Sequence, residues 1–400
     1  MPLIEPRLAD VLSGADPNSP NDVGEVLLRL LRFAQQQGAT DLHFRPQPDG
    51  LLVSWRRDGV AQPLARFSAE VAANYVGRLK VMSGLLTYRV EIPQEGRLRA
   101  EFLQDGVEVR VATFPTIHGE RAVVRLFVAS GRYLHLEDLG LPQDEREALQ
   151  NMLWETGGLV LISGPAGSGK TTTAYACLRY LLRHFAEEKI LLTLEDPVEA
   201  VLPSVGQSEV RPSAGFDYVT GLKSLLRHDP DVLMVGEIRD RGTAEIVFQA
   251  ALTGHLVVST FHAGSVGESV SRLLDLGIEP FVLQSGLLGV LSQRLVRRLC
   301  PDCRRPAEQD ALGLPVAGHF VAAGCAACRQ TGYRDRVLLI ELLDTNLPGF
   351  DRHVLTRADA RAIESAAAAA GMTTRWDRAV ELVESGVTSA VEIRRVLGFR

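Results

Sequence analysis

The stretch GPAGSGKT at residues 164–171 decides how the rest of the chain is read. It satisfies G-x-x-x-x-G-K-[ST] in full: Gly164, Pro165, Ala166, Gly167, Ser168, Gly169, Lys170 and Thr171, with Thr172 next. The apolar run LVLIS precedes it and the amphipathic run TTAYACLRYLLRHF follows. A strand, a glycine turn and a helix in that order form the context this motif needs. The glycines let backbone N–H groups turn toward phosphate oxygens, and the helix N-terminus adds partial positive charge. Lys170 would reach the β- and γ-phosphates of a nucleoside triphosphate, and Thr171 would hold Mg²⁺. A chance glycine-rich turn would match the letters without both flanks.

Outward from this loop, two apolar runs end in carboxylates, as a phosphate site requires. ILLTLEDPVE (190–199) ends in Glu195 and Asp196, and DVLMVGEIRD (231–240) ends in Glu237. In the second run Gly236 stands where an aspartate is usual, so metal or water handling is expected to be shared between Glu237 and Glu195. A third run, TGHLVVSTFHAGS (253–265), ends its apolar stretch at His262, a candidate sensor of the γ-phosphate. Strand-like and helical runs alternate to about Leu299, which predicts an α/β fold with a parallel sheet. Four strands would then carry polar residues to one edge, where open α/β sheets bind their ligands.

Upstream the pattern differs. VGEVLLRLLRFAQQQG has helical spacing and stops at Gly38. Short alternating runs follow: DLHFRP, GLLVSWRRDG, GRLRAEF, VEVRVATFP and RAVVRLFV, with a helix near Ala69–Met82 among them. These features predict a loose leader over 1–21, a smaller α+β domain over 22–128, a linker over 129–143 and the main domain over 144–400. The main domain would include a cysteine-bearing insert at 300–335 and a helical end at 350–400. Apolar and charged shares of 46% and 23% are those of a soluble globular protein. The start lacks a signal-peptide pattern and no apolar run reaches membrane-spanning length, so a cytoplasmic protein is expected. A net charge of −6 argues against general affinity for nucleic acid.

Four of the five cysteines form two pairs, Cys300-x-x-Cys303 and Cys325-x-x-Cys328, with 21 residues between. Two close pairs around a loop are a structural zinc signature, and four thiolates leave no open position on the ion. Redox motifs usually carry a single pair at a helix start, and a disulfide framework conflicts with a reducing compartment. Metal binding would supply the folding free energy of a loop too small to hold itself together. Cys177 reads as a buried apolar residue.

Together these residues resemble the secretion-superfamily ATPases, in the type II secretion and type IV pilus assembly branch. The resemblance rests on the phosphate loop, LEDPVE (194–199), DPDVLMVGEIRD (229–240) and the histidine stretch. It extends through GATDLHFRP, LKVMSGL, VEVRVATFPTIHGERAVVRL, QRLVRRLCPDC, GCAACRQTGYRDR and GVTSAVEIRRVLG. It implies a RecA-like ATPase domain preceded by a PAS-like α+β domain, flexibly joined, in a homohexamer. It implies ATP, Mg²⁺ and Zn²⁺ as cofactors and an inner-membrane platform protein as partner, with membrane association through partners only and no nucleic acid. In such proteins arginines of the first domain close over the phosphates, and Arg97 and Arg110 match them. The tetracysteine element points to assembly of a pilus or pseudopilus. Pilus retraction, or a nucleotide switch without significant turnover, is the alternative. The chain departs from the branch in reading HAGS for the commoner HTND and GYRDRVLLIEL for GYRGRTGIHEL. The branch's further N-terminal domain, which docks on membrane partners, has no counterpart in residues 1–21.

Overall fold

The computed structural model describes residues 6–98, 109–126, 133–185, 188–307 and 310–399. The chain divides into two compact units, Met1–Ser130 and Gly131–Arg400. Among the described residues no helix is long and apolar enough to cross a membrane.

Unit 1 opens with α1 (Pro6–Val11) and α2 (Val23–Gln36), followed by β1 (Asp41–Gln47), β2 (Gly50–Arg57) and β3 (Val60–Phe67). It continues with α3 (Ala72–Met82), β4 (Gln94–Arg97), β5 (Val109–Thr116) and β6 (Gly119–Leu126). The strands form one antiparallel sheet in the order β3-β2-β1-β6-β5-β4. Val23, Val26, Leu27, Leu30, Leu31 and Ala34 recur at helical spacing, so α2 buries one stripe. Gly38, at φ 70°, supplies the left-handed turn that ends the helix. That stripe shares a core with Leu42, Phe44, Val53, Val111 and Val124 of the sheet.

Two expectations for this part of the chain need correction. Residues 6–21 are not a loose leader: Leu8 and Leu12 are buried in the core of unit 1, and Arg29 donates to the carbonyls of Val11 and Ser13. The strand β3 was not expected, because Pro63 interrupts its sequence. It lies at the sheet edge, where a register shift against Val53 and Ser54 accommodates the proline. The tail of GRLRAEF, the start of VEVRVATFP and the end of RAVVRLFV lie outside the described residues.

Unit 2 begins with a 3-10 turn, Leu136–Leu139, then α4 (Gln143–Trp154) and β7 (Gly158–Ser163). Leu136, Leu139 and Leu141 are buried in its core, so residues 136–141 of the expected linker belong to this unit. There follow α5 (Lys170–Phe185), β8 (Leu191–Glu195), β9 (Gly206–Glu209), α6 (Tyr218–Leu225), β10 (Val232–Val235), α7 (Arg241–Leu252) and β11 (Leu256–Phe261). The chain continues with α8 (Val266–Asp275), α9 (Pro280–Gly286), β12 (Leu287–Leu299), β13 (Arg305–Pro306), β14 (Phe320–Val321) and β15 (Tyr333–Asp344). It ends in α10 (Phe350–Leu355), α11 (Ala360–Ala369), α12 (Arg375–Glu384) and α13 (Ala390–Leu397).

The main sheet runs β15-β12-β7-β11-β10-β8-β9 and is parallel except at β15. All six residues of β7 are buried, as expected of a strand covered on both faces. Leu159 and Leu161 join the core under α7 and α8, while Val160 and Ile162 join the core under α4 and α5. The long antiparallel pair β12/β15 was not expected. It closes at Leu299 opposite Tyr333, so the cysteine insert spans 300–332 and Tyr333–Asp335 already belong to β15.

Candidate functional site

The parallel strands β7, β11, β10 and β8 are neighbours, and each ends in a segment singled out above. From β7 the chain turns through Gly164, Gly167 and Gly169, at φ 150°, 73° and 90°, into the N-terminus of α5. A side chain at Gly164 would be forced to 2.4 Å from the carbonyl oxygen of Gln293, so only glycine fits there. Lys170 is buried, and its Nζ donates to the carbonyls of Gly164 and Pro165 at 3.0 and 3.1 Å. Burial pushes its pKa down, while the charges of Glu237 and Glu199 oppose that shift.

At the end of β10, Glu237 pairs with Arg239, which also reaches Asp196 at 3.6 Å. His262, just beyond β11, places Nε2 at 3.5 Å from Glu237 Oε2. Desolvation foremost, with Lys170, Arg239 and Arg272 in support, lowers the pKa of His262 against the pull of Glu237. These influences favour the neutral imidazole. Arg239, Phe261, His262 and Arg272 help line a cleft of about 300 Å³. Lys170, Glu237 and His262, from three different strand ends, thus form one electrostatic cluster.

Glu195 is placed differently from its expected role. Both of its carboxylate oxygens are occupied by protein donors. Tyr175 Oη donates to one at 2.5 Å; Thr193 Oγ1 and Gln207 Nε2 donate to the other at 2.6 and 3.2 Å. Tyr175 Oη also accepts from the backbone N–H groups of Glu199 and Ala200. Glu195 therefore anchors the loop through Tyr175. The carboxylate within reach of Thr171 is Glu199, which accepts from Thr171 Oγ1 at 3.5 Å. Glu199 closes the quoted box LEDPVE, but sequence position alone did not separate it from Glu195.

Whether the loop suits a nucleotide and Mg²⁺ can be judged from its own polar atoms. Ser168 Oγ in the loop and Glu237 Oε2 are buried and make no hydrogen bond to the protein. A hydroxyl donor and a carboxylate acceptor beside Lys170 and Thr171 match a phosphate and a metal-bound water. In unit 1, Arg97 and Arg110 are direct cross-strand partners, and Arg125 stands opposite Arg110 on β6. Arg125 Nε already pairs with Asp41 Oδ1 at 3.2 Å, so this row carries a counter-charge of its own. Arg125 was missed because only the strand register reveals the row.

The four cysteines of the insert converge, with all Sγ atoms within 4.8 Å of one another. Cys300–Cys325, Cys303–Cys328 and Cys325–Cys328 are 3.9, 3.7 and 3.7 Å apart. Four sulfurs tetrahedral about zinc at about 2.3 Å stand roughly 3.8 Å apart, so the set fits that ion. Burial works to raise the Cys328 pKa. The N–H groups of Cys325 and Gly332, with the neighbouring thiols, outweigh it and bring the value to about 6. Burial foremost raises the pKa of Cys300 and that of Cys303, the latter to about 12, so the metal-binding thiolate form is favoured at Cys328 and opposed at those two.

Residues 18–395 match the family described as type II/IV secretion system protein. The chain is 38% identical over 399 residues to a type II secretion system ATPase E of Vibrio cholerae serotype O1, covering 98% of this chain and 78% of the relative. It is 41% identical over 345 residues to a type II secretion system protein E of Dickeya dadantii, covering 84% and 68%. Among solved structures, the pilus retraction motor PilT with bound ADP superposes with a TM-score of 0.60 at 24% identity, covering 92% of this chain and 96% of that one. The ATPase DotB of Legionella pneumophila gives 0.64 at 21%, covering 92% and 94%. At these identities the structural likeness speaks for the fold.

Proposed function

Since the chain belongs to the type II/IV secretion system protein family, and is a secretion ATPase, we propose that it works as a Mg²⁺-dependent homohexameric motor. It would drive assembly of a pilus or pseudopilus from the cytoplasmic side of the inner membrane, against a platform protein and without nucleic acid. The observation that carries the site assignment is the meeting of Lys170, Glu237 and His262 at the phosphate loop.

In this reading the backbone of 164–172 cradles the phosphates and Lys170 neutralises them. Bound Mg²⁺ would add charge at the β- and γ-phosphates, with Thr171 holding it. Glu237 orients the attacking water and accepts its proton at Oε2. Neutral His262 donates to the terminal phosphate, and Arg239 pairs with Glu237. Glu195 positions the acidic loop through Tyr175, and Glu199 faces Thr171. Arg97 and Arg110 would neutralise charge spreading on the transferred phosphoryl group, a contribution worth ~10³-fold in rate or more. Zinc on Cys300, Cys303, Cys325 and Cys328 would be structural, and the tetracysteine element favours assembly over retraction.

Steady-state phosphate release by the purified protein, with its mass measured in ATP, tests the proposal. Turnover that is lost in Glu237→Gln while nucleotide binding persists supports it. Wild-type turnover in that variant refutes the role of Glu237, and a monomer in saturating ATP refutes the ring. Stimulation by DNA would reopen a nucleic-acid motor.

A further inference from the structure

Consecutive residues of β12 fasten two different loops of the site. Gln293 is fully buried. Its Nε2 donates to the carbonyl of Ser168 at 2.7 Å, and its Oε1 accepts from Thr173 Oγ1 at 2.9 Å. Its own carbonyl oxygen fills the space beside Gly164. One residue thus touches the start of the phosphate loop, its middle and the helix that follows.

The next residue, Arg294, points to the other face of the sheet, as neighbours in a strand do. Its Nη2 donates to the carbonyl of Gly264 at 3.1 Å, two residues after His262. Arg375 Nη1 donates to the same carbonyl at 3.0 Å and to Glu341 Oε1 at 3.1 Å. Glu341 is buried on β15 and accepts from the N–H of Val266, while Glu268 accepts from the N–H of Gly264. Side chains of β12, β15, α8 and α12 therefore serve backbone groups that no strand or helix pairs at this turn. Buried polar backbone needs such partners.

We propose that Gln293 and Arg294 are positioning residues that hold the phosphate loop and the histidine loop in register with each other. One step of β12 carries both contacts, so the two loops cannot shift independently. The proposal rests on reading this site as the ATP site. Gln293 acts through Ser168 and Thr173, and Arg294 through the turn after His262.

Gln293→Glu and Arg294→Gln in the full chain test it, with Gln293→Leu and Arg294→Lys as second variants should either fail to fold. The Gln293 variants are expected to weaken ADP binding about tenfold, by the loss of buried hydrogen bonds. The Arg294 variants are expected to lower kcat about tenfold while ADP affinity stays within about twofold, because ADP lacks the phosphate facing His262. Arg294→Lys, which can keep one donor, should restore part of that kcat. Hydrogen exchange gives a readout independent of turnover. Protection should fall at 164–172 in the Gln293 variants and at 262–266 in the Arg294 variants. Unchanged protection at both loops, or equal loss at both in every variant, overturns the proposal. Should the wild type neither bind nucleotide nor turn it over, the ATP reading fails, and the exchange pattern still decides the register.

Discussion

The phosphate loop and the cysteine cluster both lean on β12, yet they are built by opposite means. The loop sits on a strand buried on both faces, and Lys170, Ser168 and Gln293 are themselves buried and held by neighbours. Its shape is stored in the fold. Among its described residues the insert has a ladder of two residue pairs, β13 with β14, and few buried apolar side chains, among them Ala311 and Leu314. Ala311 and Leu314 pack on Ala379, Val383 and Ile393, and Arg304 donates to the carbonyl of Gly386, so the base of the insert is fastened while an ion would fix the sulfurs themselves. Geometry kept by a thick core tolerates the absence of its ligand, and geometry kept by an ion does not.

The largest expected effect tests that contrast directly. Stripping zinc should remove on the order of 10 kcal/mol of local folding free energy. Limited proteolysis should then cut within 304–324, while ADP affinity is retained, and metal analysis of the intact protein should find about one zinc per chain. Loss of ADP affinity on chelation would break the comparison. In the opposite direction, Lys170→Ala should cut ATP turnover ~10³-fold or more with thermal stability and zinc content unchanged. Altered zinc content in that variant would show that the two sites are not separate.

Two smaller effects sharpen the account of the stored geometry. Burial raises the pKa of Glu341, and Arg375 opposes the rise. A carboxyl raised in the folded state contributes stability that is complete below its unfolded value, about 4.3, and lost as pH rises through the folded value. Arg375→Leu should raise it further and cost about 3 kcal/mol at pH 7.5, with a smaller loss at pH 5. Melting curves at the two values check this, and an equal loss at both would refute the charge argument. Tyr175→Phe should cost roughly 1–2 kcal/mol, because it leaves Glu195 short of a donor and two N–H groups short of an acceptor. Denaturant unfolding measures that difference, and no change would remove Tyr175 from the network.

What could be read in the sequence was what is local. The phosphate loop, the acidic runs and the histidine stretch each follow an apolar strand, and the sheet order delivers them to one edge. The cysteine pairs were legible for the same reason. Gln293 was hidden because its partner Thr173 lies 120 residues away. Arg375, Glu341 and Arg125 were likewise hidden, since only tertiary contact or strand register defines their neighbours. Glu195 and Glu199 could not be told apart because their difference lies in Tyr175, on another element. Residues 6–12 looked like a leader because Leu8 in α1 and Leu12 just past it form too short a pattern to register as periodic.

The closure of the β12/β15 ladder at Leu299 and Tyr333 carries a further consequence. Paired residues in such a ladder stand about 5 Å apart, so the chain leaves and re-enters the sheet through nearly the same point. The backbone N–H of Cys300 donates to the carbonyl of Gly332 across that neck. The insert thus meets the sheet at one narrow neck, while Ala311 and Leu314 pack on Ala379, Val383 and Ile393, and Arg394 donates to the carbonyl of Leu312. A tight turn joining Leu299 to Tyr333 would leave the β12/β15 pairing beneath it intact, so the cost of losing the insert would fall on α12 and α13 and not on the sheet that holds the phosphate loop.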